Sequence, residues 1–91
     1  MAIQMPDQQV AELRTHVQDL LDQECRDRKV GFRLIVQEEA FQEGDWVTLI
    51  ALPDRKEVSA TDYAIILTMA ETRLRRDEHV KNVALLPALP G

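Results

Sequence analysis

The segment from Trp46 to Leu52, WVTLIAL, limits the possible folds most strongly, because it is apolar on both faces of the strand that it predicts. Successive side chains of an extended chain point to opposite sides. One side carries Trp46, Ile50 and Leu52, and the other carries Val47, Leu49 and Ala51. Strands of this composition are typically central in a sheet, or are covered on both sides. We therefore expect a strand over residues 46–52 that needs apolar neighbours in two directions.

Hydrophobic periodicity predicts the elements around this strand. Apolar residues at spacings of three and four predict helices over residues 6–28 and 59–77, whereas alternation predicts strands over residues 30–37 and 80–86. Residues 87–91, PALPG, are expected to form a tail, since proline cannot donate to a strand ladder. The order helix–strand–strand–helix–strand predicts a single α+β domain with a three-stranded mixed sheet and both helices packed on one face.

The acidic segment before Trp46 has two interpretations. Gly44 and Asp45 form a turn signal, which predicts that the strands over 30–37 and 46–52 make an antiparallel hairpin with a bulge or a slightly long loop. Four carboxylates crowd this connection: Glu38, Glu39, Glu43 and Asp45. They form either a solvated tip that discourages edge pairing or a cation site. Their spacing matches no calcium loop, which favours the solvated tip.

Length and charge exclude several classes of function. A chain of 91 residues with a net charge of −5 predicts one soluble domain, and it argues against nucleic acid or an anionic membrane as the main partner. Cys25 is the single cysteine, so no internal disulfide and no cysteine-based zinc cluster can form. The N-terminal residues lack the charge and the apolar core of a secretory signal, and no apolar run approaches the roughly 20 residues of a membrane span. We expect a cytoplasmic protein.

The sequence contains no motif of an enzyme or of a cofactor site. No nucleophile elbow, phosphate-binding loop or dinucleotide fingerprint is present. His16 and His79 fall on different elements, so we expect no metal site, and Cys25 is expected to be an inert thiol. We therefore expect no catalytic residue, no cofactor and no enzymatic activity.

Basic residues gather near the ends of both predicted helices. The simpler interpretation is that they complement the helix dipoles and pair with neighbouring carboxylates. The functional interpretation is an anion patch formed where the two helix ends converge. Its candidate residues are Arg26, Arg28, Arg73, Arg75 and Arg76.

The order of elements resembles that of type II KH domains and of ribosome-binding factor A. This resemblance covers most of the chain and concerns element order alone. The GxxG loop of the KH family is absent, because Gly31, Gly44 and Gly91 are far apart, and the stretch AETRLRR lacks the A-x-G interruption of ribosome-binding factor A. The resemblance, together with the helix-end arginines, suggests the alternative function: an RNA- or ribosome-associated module.

The leading prediction is a non-enzymatic protein-interaction domain. Two helices on one sheet face leave the other face bare, although that face carries Ile35 and three apolar residues of the strand over 46–52. Soluble monomers rarely expose large apolar patches. We expect the bare sheet face or the flank of the second helix to be an interface, in a homodimer or in a larger assembly. The candidate contact residues are Ile35, Trp46, Leu49, Ile65 and Met69.

Overall fold

The computed structural model describes residues 6–87 and contains two helices packed against a three-stranded mixed sheet. The elements are α1 (Asp7–Arg28), β1 (Leu34–Glu43), β2 (Trp46–Pro53), α2 (Ala60–Asp77) and β3 (Val83–Pro87). Their order and the mixed sheet confirm the predicted α+β fold. Of the predicted tail over 87–91, Pro87 ends β3, and the remaining four residues lie outside the described range.

The sheet has the strand order β1-β2-β3, so the apolar strand β2 is central. β1 pairs with β2 in antiparallel fashion, and Glu43 lies opposite Trp46 at the turn. β2 and β3 are parallel, with Val47 beside Val83, and α2 makes the connection between them. α1 lies against β1, and α2 lies against β3 and α1.

The first strand differs from its predicted bounds of 30–37. It begins at Leu34, which pairs with Pro53 at the end of β2, and it continues to Glu43. The register shifts between Val36 and Ala40, where three residues of β1 face the single residue Ile50. Because this bulge inserts two residues, it leaves Val36 and Ala40 on the same face of the sheet. Most of the acidic connection is therefore strand, and the turn is confined to Gly44 and Asp45.

Local hydrogen bonds explain where α1 ends and where α2 begins. Lys29, with φ of 54°, is the left-handed residue after α1, and its N–H donates to the carbonyl of Arg26 at 3.2 Å. The helix thus ends at Arg28, three residues before Gly31. At the start of α2, the Ser59 hydroxyl accepts a hydrogen bond from the backbone N–H of Asp62 at 3.2 Å.

The core lies between the helices and one face of the sheet. β2 contributes Val47, Leu49 and Ala51, which are all buried, and the Tyr63 hydroxyl of α2 donates to the carbonyl of Ala51. The largest fully buried side chains are Leu21, Leu34, Leu49, Ile66, Leu74 and Val17. Every element contributes to this single cluster, which fixes both helices on the same side of the sheet.

Two adjacent isoleucines of α2 test this placement of the core. Ile66 is 0% exposed, whereas Ile65 is 37% exposed. We expect Ile66→Ala to lower the free energy of unfolding by about 2–5 kcal/mol, because the substitution leaves a cavity in the core. Ile65→Ala is the matched control and should cost less than about 1 kcal/mol. Urea unfolding at low protein concentration measures both values, and equal losses would contradict the described orientation of α2.

Candidate protein interface on the open sheet face

The molecule is a slab with dimensions of 42 × 32 × 19 Å. Its thin dimension matches one layer of helices on one sheet, because a helix with its side chains is about 10–12 Å across. Among residues 6–87, both helices lie on the face that carries Leu34, Leu49 and Leu85. The opposite face of the sheet has no covering helix or strand within that range.

We call this opposite surface the open face. Its members follow from the strand register, since side chains in a strand alternate and paired residues share a face. They are Ile35, Phe41 and Glu43 of β1, Trp46, Thr48, Ile50 and Leu52 of β2, and Ala84 and Leu86 of β3. Leu86 lies beside Ile50, and Phe41 lies opposite Thr48, so the apolar side chains adjoin one another across all three strands.

Exposure of large apolar side chains is concentrated on the open face. Phe41 is 53% exposed, Trp46 is 44% exposed and Leu86 is 48% exposed. The fourth exposed large apolar residue in the described range, Ile65, lies on α2. Scattered exposed apolar residues need no explanation, but several on one sheet face are typical of a contact surface.

The structure brings together two of the five predicted contact residues. Ile35 and Trp46 lie on the open face. Leu49 does not, because it is 1% exposed and packs in the core beneath the helices. Alternation had separated the two faces of β2 correctly, but it could not tell which face the helices cover. Ile65 and Met69 lie on α2, and they are separate from the sheet surface.

Sequence reasoning missed two prominent members of the open face. Phe41 fell within the expected hairpin loop, and Leu86 was the last residue of the expected third strand. The Gly44–Asp45 turn signal could have placed Phe41, because a two-residue turn extends β1 as far as Glu43. No comparable sequence signal placed Leu86 on the open face, because the adjoining Pro87 indicated only the end of the strand.

Acidic side chains border the open face along β1 and the turn. Glu38 and Glu39 lie at the bulge, where they line a shallow cavity of about 510 Å³ together with Ile50 and Leu52. Glu43 and Asp45 follow at the turn, and Asp45 accepts a hydrogen bond from the Asn82 amide at 2.9 Å, which ties the turn to the start of β3. The open face is thus apolar in the middle and negative along one margin.

The predicted anion patch divides into separate groups. Arg28 and Arg73 both contact Glu24, at 3.5 and 3.4 Å. Arg75 pairs with Glu71 at 3.4 Å, and Arg76 pairs with Asp77 at 3.2 Å. A carboxylate therefore lies beside each of these four arginines, as the simpler interpretation of the helix-end charges expected.

The helix ends do not converge, because α1 and α2 run in opposite directions. Arg73 contacts Glu24 near the end of α1, whereas Glu78, just after α2, contacts His16 at 2.5 Å in the middle of α1. Twelve residues of helix separate His16 from Arg28, which corresponds to about 18 Å. Arg75 and Arg76 thus lie far along α1 from its basic end.

Arg26 lies apart from the other arginines of the predicted patch. It lines a groove of about 550 Å³ at the end of α1, where Arg33 pairs with Asp22 at 3.3 Å. In the same groove, Asp54 accepts hydrogen bonds from the Arg55 guanidinium at 3.0 Å and from the Arg33 backbone N–H at 3.1 Å. These donors, Arg55 first, hold the pKa of Asp54 below its ordinary value.

The two histidines do not meet in space. His16 is paired with Glu78, and His79 is an exposed residue with φ of 58° after α2. Within residues 6–87, no three His, Cys, Asp or Glu side chains are grouped so that they could hold a metal ion. Neither of the two helices in that range is long and apolar enough to cross a membrane.

Comparisons with known proteins give no relative for this chain. No family model, no curated protein and no solved structure matches it. The arguments about function therefore depend on the geometry of the chain itself.

Cys25 lines the groove at the end of α1, and the reactivity of its thiol tests whether this residue is buried. Cys25 is buried, and this burial raises the pKa of the thiol, although the backbone N–H of Leu34 acts in the opposite direction. Because the thiolate is the reactive form, we expect iodoacetamide to modify the native protein at pH 7 far more slowly than the urea-unfolded chain. Mass spectrometry over time measures both rates, and equal rates would show that the thiol is accessible and ionised.

Proposed function

We propose that this chain is a non-enzymatic protein-interaction domain that associates through the open face, most simply with a second copy of itself. The observation that supports the proposal is the clustering of Phe41, Trp46 and Leu86, each more than 40% exposed, on one face of the sheet. A sheet buries its apolar face against another layer in most domains. A partner would supply the layer that residues 6–87 lack on this side.

The dimensions of the open face set the strength of such an association. Three strands about 4.8 Å apart, along a β2 of eight residues, give a surface of about 400 Å². Only part of this area is exposed and apolar, so removing it from water contributes less than about 10 kcal/mol per partner, before the costs of association are subtracted. Such an interface lies at the small end for specific complexes, so the dimer should dissociate on dilution.

The acidic margin of the open face favours one of two possible twofold axes for a dimer. Face-to-face packing with an axis perpendicular to the strands would place β1 over the β1 of the partner copy, and would bring Glu38 and Glu39 against their own equivalents. An axis parallel to the strands places β1 over the partner's β3, which separates the acidic margins. We therefore propose the parallel axis.

The alternative function, an RNA- or ribosome-associated module, has less support. Four of its candidate arginines pair with carboxylates, and the net charge of the chain is −5. Phosphate binding needs cations that are available to displace counterions.

We also propose a reducing location such as the cytoplasm, because the single cysteine is a buried free thiol.

Charged substitutions on the open face test the proposed interface. We expect the wild-type chain to sediment, at about 100 μM, with twice its monomer mass of 10.4 kDa. Leu86→Glu should give the monomer mass, because it places a charge in the apolar contact and, with the parallel axis, brings that charge against Glu38 and Glu39 of the partner copy. Ile65→Glu, on the exposed flank of α2, is the matched control and should leave the dimer intact.

Two results of this experiment would overturn the proposal. A wild-type monomer at every concentration up to about 100 μM would exclude self-association of useful strength. A dimer that Ile65→Glu dissociates and Leu86→Glu does not would move the interface to the flank of α2.

A further inference from the structure

The free edge of β1 is bonded to a side chain of α1. The Gln18 carboxamide donates to the carbonyl of Leu34 at 2.8 Å and accepts from the backbone N–H of Val36 at 2.9 Å. These two backbone groups point away from β2. The N–H of Asp54 bonds to the carbonyl of Arg33, so residues 33 and 35 face β2 and residues 34 and 36 face outwards.

The Gln18 carboxamide therefore occupies the position of a neighbouring strand. A residue in an added parallel strand would donate its N–H to the carbonyl of Leu34 and accept from the N–H of Val36. The side-chain amide supplies the same donor and acceptor from the helix. One turn earlier in α1, the Arg14 guanidinium donates to the carbonyl of Glu38 at the bulge, which extends this contact along the edge.

The free edge of β3 is closed from α2. The N–H of Val47 bonds to the carbonyl of Asn82, so Val83, Leu85 and Pro87 direct their backbone groups away from β2. The Glu71 carboxylate accepts the outward N–H of Leu85 at 2.6 Å, and Pro87 has no N–H to offer. Val83, at the start of the strand, carries the other outward N–H, and the outward carbonyls of these three residues are not bonded by Glu71.

We propose that Gln18 and Glu71 act as edge caps that prevent strand addition by other copies of this chain. Unpaired strand edges accept extended segments from other molecules, and repeated addition of this kind produces open-ended assemblies. Gln18 engages hydrogen-bonding groups at the start of the β1 edge, and Glu71 engages one in the middle of the β3 edge. Association is thereby confined to side-chain contacts such as those of the open face, which can close as a dimer. This inference does not depend on which partner covers the open face.

Removing the caps in a chain with a blocked open face tests the proposal. In a Leu86→Glu background, we expect Gln18→Ala together with Glu71→Ala to form assemblies that grow with concentration, whereas Leu86→Glu alone stays monomeric. Gln8→Ala in α1 is the matched control, since Gln8 is exposed at the start of that helix and should leave the protein monomeric. Glu71→Gln should also be silent, because its side-chain oxygen can still accept from Leu85.

Amide hydrogen exchange reports each cap directly. In the monomeric single variants, we expect exchange at Val36 to become about fivefold to tenfold faster in Gln18→Ala, and exchange at Leu85 to change similarly in Glu71→Ala. The amide of Val47, in the central strand, should stay protected, which shows that the fold is intact. Unchanged exchange at both edges would overturn the assignment of the caps.

Assembly gives the decisive result. Growth of the double variant, with the controls monomeric, supports the proposal. A folded double variant that remains monomeric at about 100 μM would overturn it, even if the amides exchange faster, because the edges would then not be accepting strands. If the double variant is unfolded, the same comparison is made with the two single variants. Failure of the open-face dimer would instead appear in the wild-type chain, so the two proposals fail separately.

Discussion

The two-sided apolar character of β2 is the constraint on which the rest of the structure depends. Val47, Leu49 and Ala51 fill one side and form the floor of the core, with α1 and α2 above them. Ile50 and Leu52, on the other side, are only half-buried. Both helices pack on the first side, so neither covers the second. Within residues 6–87, no further helix or strand forms a third layer.

The edges of the sheet and its open face differ in whether side chains of the helices contact them. Polar side chains of both helices bond to some of the outward backbone groups at the edges, through Gln18 for β1 and Glu71 for β3. The apolar open face has no comparable cover within residues 6–87. The proposed association through the open face and the proposed role of the edge caps both rest on this difference.

Much of the fold could be predicted from the sequence, because periodicity depends on local geometry. The apolar stripes of the two helices and the two-sided apolar pattern of β2 all followed from residue spacing. The face of β2 that meets the helices did not, since alternation separates Leu49 from Ile50 without saying which is covered. The Gly44–Asp45 turn could have placed the end of β1 at Glu43, but no local signal indicated the bulge opposite Ile50, which is a pairing between distant residues. The bond from Gln18 to Val36 likewise joins residues 18 apart in the chain, so no local pattern indicates it.

Solvent contact at individual methyl groups tests most directly whether the open face is an association surface. Relaxation caused by a soluble paramagnetic probe can be measured for Ile50, Leu52 and Leu86, with Leu49 as a buried reference. We predict strong relaxation at low micromolar concentration and clear protection near 100 μM, while Leu49 is protected throughout. Protection of all four residues at every concentration would show that the chain covers this face by itself. Equal exposure of the three open-face residues at both concentrations would show that no second copy covers it.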